Sequence, residues 1–94
     1  MPDTPTTDPA AITFIQAMRR VAIQRLIEDG GEAGVLGQIT SHGNLTCTAT
    51  PARISADGVQ LYHTQFAING ADISILEAES IAMGEPLDAP SHIR

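Results

Sequence analysis

The sequence predicts a mainly β domain with one N-terminal α-helix, and three observations carry that prediction. Apolar residues recur at three- and four-residue steps before position 29, the period falls to two after Gly34, and three turn signals containing glycine divide the remainder of the chain. Ninety-four residues make one domain. Apolar residues are 43% of the chain and charged residues 17%, a balance that belongs to globular proteins and not to disordered ones. With only Phe14, Tyr62 and Phe66 as aromatics, the core must be built from Ile, Leu, Val, Ala and Thr.

Residues 1–8 are read as a flexible tail, because the opening MPDTPTTDP holds prolines, threonines and aspartates and almost nothing to bury. Asp8 before Pro9 fits an N-cap followed by proline at the first helical position, where the missing N–H costs nothing. An amphipathic helix is expected over 9–29, with Ala11, Ile12, Ile15, Met18, Ala22, Leu26 and Ile27 on its apolar side. Gly30-Gly31 stops it, since glycine enters the left-handed C-cap without a Cβ penalty.

The segment 34–94 reads as a β domain of three hairpins. Its turns are Ser41-His42-Gly43-Asn44, Asp57-Gly58 and Asn69-Gly70, the last two suited to a type I′ hairpin. The strands pair as 35–40 with 45–49, 52–56 with 59–63, and 65–68 with 71–77, with a further short strand near 80–83. Alternation places Leu45, Cys47 and Ala49 on one face, and Val59, Leu61 and His63 likewise share a face, so that Cys47 and His63 both project toward apolar faces. Phe66 and Ile68 have the opposite parity, so a bulge or corner is expected between Thr64 and Gln65. Glu77, Glu79 and Glu85 read as a solvated strand edge, and Gly84 to Arg94 as an irregular tail.

Charge and targeting signals narrow the function. Eleven acids against five arginines give a net charge of −6, which opposes binding to phosphate backbones, so no nucleic-acid partner is expected. No apolar run reaches a spanning length and no secretory signal opens the chain, so synthesis in the cytoplasm is expected. A single cysteine excludes an intrachain disulfide.

His42, Cys47, His63 and His92 are the residues that could carry chemistry. Three imidazoles and one thiol form the donor set of a closed tetrahedral zinc site, which stabilises folding and leaves no open position for catalysis. Their spacing matches no short zinc-finger pattern. The competing reading makes Cys47 a small core residue, His63 a half-buried hydrogen-bonded side chain, and His42 and His92 solvated. A Cys47–His63 thiol nucleophile would lack a carboxylate to orient the imidazole, so no enzyme is expected.

Ile39-Thr40-Ser41-His42-Gly43, then Thr46-Cys47-Thr48-Ala49-Thr50-Pro51, then Asp57-Gly58 and Phe66-Ala67-Ile68-Asn69-Gly70, together resemble the PAAR-repeat spike-tip proteins over roughly residues 34–76. Only Pro51-Ala52-Arg53 stands for the naming tetrapeptide. The resemblance implies a small cone of three β-hairpins with pseudo-three-fold symmetry, seated as a monomer on a trimeric β-helical spike. The implied setting is a contractile injection apparatus, either a phage tail baseplate or type VI secretion. It further implies one structural zinc or iron near the vertex, held by His42, Cys47 and His63; His92 is added to these because the site needs a fourth donor. The implied function is mechanical: a rigid tip pierces a target membrane outside the cell. The alternative is a metal-free structural adaptor or joining protein of a phage tail or virion.

Overall fold

The computed structural model describes residues 9–85. The Asp8 N-cap, the tail over 1–8 and His92 lie outside the described residues. Helix α1 spans Pro9–Glu28, followed by β1 (Gly34–Thr40), β2 (Gly43–Ile54), β3 (Gln60–Ile68), β4 (Ala71–Ile73) and helix α2 (Ile75–Ala82). The strands form one antiparallel meander in the order β1-β2-β3-β4.

Helix α1 ends as its sequence requires. Gly30 and Gly31 take φ of 82° and 105°, and their N–H groups return to the carbonyls of Ile27 (3.3 Å) and Leu26 (3.1 Å). Its buried face is Ala11, Phe14, Ile15, Met18, Ala22 and Leu26. Phe14 joins the expected stripe, whereas Ile12 is half-buried and Ile27 exposed. That face packs on one side of the sheet, against Leu36, Leu45, Cys47, Ala49 and Phe66, and α2 completes the core with Ala78 and Ala82. At Gly34 the strand lies directly on the helix: a Cβ there would stand 2.0 Å from the Ala22 carbonyl oxygen.

The three turns fall where the sequence places them, but the strands between them merge. Residues 45–49 and 52–56 do not form two strands of separate hairpins, because β2 runs unbroken through Pro51 to Ile54. The register with β3 shifts between Pro51, opposite Tyr62, and Arg53, opposite Leu61, so Ala52 is the extra residue of a bulge. No corner forms at Thr64–Gln65; β3 passes straight through. Among the described residues the result is one open sheet with β1 and β4 at its edges, and not three separate hairpins. At Asp57-Gly58 only Gly58 takes positive φ (83°), and Ser55 N–H bonds the Val59 carbonyl across a three-residue loop. Asn69-Gly70, at φ of 50° and 89°, is the type I′ turn.

Beyond Ile73 the expected strand gives way to α2. Ser74 and Glu77 form a capping box: the Ser74 hydroxyl accepts from Glu77 N–H at 3.1 Å, and the Glu77 carboxylate accepts from Ser74 N–H at 3.5 Å. The residues near 80–83 belong to this helix and its C-cap at Met83. Glu77 and Glu79 therefore sit on a helix and do not line a strand edge.

Candidate functional site: the sheet, its arm and its free edge

Strand pairing decides where the candidate donors go. Cys47 lies opposite Leu36 and Phe66 on the helix-covered face and is completely buried. His63 lies opposite Thr50, three residues further along β2, and its odd separation from Phe66 sends it to the bare face, where it is exposed. The expectation that His63, like Cys47, projects toward an apolar face is corrected here: without a corner at Thr64, burying Phe66 turns His63 outward. His42 sits in the β1–β2 turn, exposed, with Nδ1 3.3 Å from the Ser41 hydroxyl and 3.9 Å from a Glu85 carboxylate oxygen. The structure thus places the three donors in three environments: core, open face and turn. Among the described residues no group of three or more His, Cys, Asp or Glu side chains is gathered as a metal ion would need.

Burial pushes the Cys47 thiol up to about 11, with the nearby Arg19 charge offsetting part of the shift. Such a thiol is almost wholly protonated at neutral pH, the opposite of an activated nucleophile. Arg19 itself reaches across from α1 and donates from Nε to the Thr64 hydroxyl at 2.9 Å. A depression of about 350 Å³ opens beside it, with Arg19, Tyr62, His63, Thr64, Phe66 and Ser74 among its lining residues.

Two polar ties gather the turns at one end of the sheet. Glu85 accepts from the Ser41 hydroxyl (2.5 Å) and the Ser41 N–H (3.2 Å), which holds its carboxyl below the usual range. Asn69 joins the β3–β4 turn to β2: its Oδ1 accepts from Asn44 N–H and its own N–H donates to the Asn44 carbonyl, both at 2.9 Å. A serine in a turn and a lone glutamate forty-four positions later carry no local signal of this pairing. The Asn-Gly turn does announce itself, but not the partner of its side chain.

At the other end, β2 and β3 run past β1 and β4. β1 begins opposite Ala49 and β4 covers only Phe66–Ile68, so residues 50–63 project as a two-stranded arm. Its outer part exposes Ile54 (66%) and Val59 (56%). The bare sheet face bears Thr46, Thr48 and Thr50 along β2, flanked by Val35 and Ile39 on β1. No described helix is long and apolar enough to cross a membrane. Compared with protein-family models, curated proteins and solved structures, the chain matches none of them.

Proposed function

We propose that the chain is a metal-free structural adaptor that joins components of a phage tail or related injection particle, with the β2–β3 arm as its docking element. The observation that carries this reading is the arm itself, a hairpin whose edges have no partner strand among the described residues and which exposes Ile54 and Val59. Apolar side chains held on a free strand pair are suited to strand addition, in which main-chain bonds supply affinity and side chains supply specificity. The component implied by the PAAR resemblance is a trimeric β-helical spike, whose strands the arm would extend. No catalytic step is assigned: the thiol is buried and pushed toward its protonated form, and the imidazoles are exposed on separate elements, His42 in the β1–β2 turn and His63 on β3.

The metal-stapled piercing tip requires donors that converge on one zinc or iron. Cys47 and His63 on opposite faces of one strand pair do not converge. Elemental analysis of the purified full chain, combined with thermal unfolding in the presence and absence of a chelator, separates the two readings. The adaptor predicts no stoichiometric metal and an unchanged midpoint. One zinc or iron per chain, with unfolding on its removal, overturns the adaptor and restores the tip.

A further inference from the structure

Among the described residues, strand β1 is an edge without the devices that usually protect one. Over Gly34–Thr40 it carries no charge and no proline, pairs with β2 in unbroken register, and among the described residues has β2 as its only neighbour in the sheet. The direction of its backbone groups is set by the Asn44–Asn69 tie. Because Asn44 turns its carbonyl to Asn69, alternation directs Leu45, Cys47 and Ala49 toward β1, and their partners Gln38, Leu36 and Gly34 toward β2. The N–H and C=O groups of Val35, Gly37 and Ile39 therefore point out of the sheet, with no partner among the described residues. On the bare face the same strand exposes Val35 (46%) and Ile39 (82%).

We infer that a second copy of this chain pairs antiparallel with β1 about a two-fold axis at Gly37, joining two four-stranded sheets into one of eight strands. The strand is complementary to itself in this register. Val35 of one copy meets Ile39 of the other on each side of the axis, and Gly37 meets Gly37 at the centre, where no side chain is present to collide. The three outward residues of each copy then exchange their free bonds. Charge favours the same occupant: the chain carries −6, yet none of it lies on β1, so two copies meet on an uncharged strand without like charges facing each other. A partner chosen by opposite charge would find nothing on this edge to engage. The two-fold leaves both helix-covered faces on the same side, so neither core is disturbed. Pairing at β1 is independent of the adaptor reading, since metal content leaves it untouched.

The test is the mass of the full chain in solution across a concentration series, by sedimentation or light scattering, together with three variants. Wild type is expected to move from the 9.9 kDa chain mass to twice that value. Ile39→Lys, at a position already open to solvent, should hold the chain at monomer mass with unchanged far-UV circular dichroism. Ile54→Lys on the arm should leave dimerisation as it was. Gly37→Cys fixes the register. The added Cβ would stand 3.3 Å from the Asn44 side chain, which has room to give, and mild oxidation should link the two copies. Cys47, buried, stays out of the reaction. A wild-type chain that remains monomeric, a dimer that survives Ile39→Lys, or failure of the Gly37→Cys variant to cross-link would each overturn the inference.

Discussion

Cys47 shows how one side chain separates chemistry from packing. A thiol pushed up to about 11 by burial has almost no thiolate at neutral pH, and the side chain is fully buried. Iodoacetamide should label it slowly in the folded protein and readily in denaturant, followed by mass spectrometry; rapid native labelling would contradict its burial. Gly34 makes the converse case, a residue required for what it lacks. Its Cβ position is occupied by the Ala22 carbonyl and lies 2.8 Å from the Leu26 N, both backbone atoms that no side-chain rotation can move. Gly34→Val should therefore destabilise the fold by roughly 1–3 kcal/mol or more, as overpacking does, read as a lower denaturant midpoint at constant slope. If the midpoint holds, α1 does not rest on β1 in this way.

At the level of elements, legibility depends on the range of the interaction. α1, its glycine stop and the three turns are local events, written in a few adjacent residues, and the sequence places each within a position or two. The merging of short strands into β2 and β3 is not local: whether Pro51 ends a strand or shifts its register depends on Leu61 and Tyr62 of the partner strand. The face taken by His63 depends on that outcome: with no corner at Thr64, it lies on the side of β3 opposite Phe66 and so away from the face of Cys47. Helix α2 is a different case. Its Ser-x-x-Glu signature stands at 74–77, but Ile73, Ile75 and the alternation around them suit a strand equally well, and packing of Ala78 and Ala82 on α1 decides the contest. Ser74→Ala removes the acceptor of the Glu77 N–H and should cost about 1 kcal/mol, with helical circular dichroism falling first on heating. An unchanged unfolding curve would show that the packing, not the cap, holds α2.

For the whole molecule, acid sensitivity has an assignable source. Ser41 stabilises the ionised form of Glu85, so this carboxyl titrates lower in the folded chain than in the unfolded one. The stability it contributes is present above the ordinary glutamate range and is lost as pH falls through the lowered folded value. Glu85→Gln should flatten that part of the stability–pH curve while leaving the neutral-to-alkaline limb in shape; an identical acid limb would remove Glu85 as the source. The tie matters because it fixes the end of the described chain to the first hairpin turn, forty-four positions away. The Asn44–Asn69 pair couples the molecule in a similar way, and its consequence is kinetic. Two amide protons twenty-five residues apart are held by one reciprocal clasp, so neither can be released to water without loosening the other. Deuterium should enter both positions at a common rate, and a tenfold disparity between them would mean that the two turns open independently.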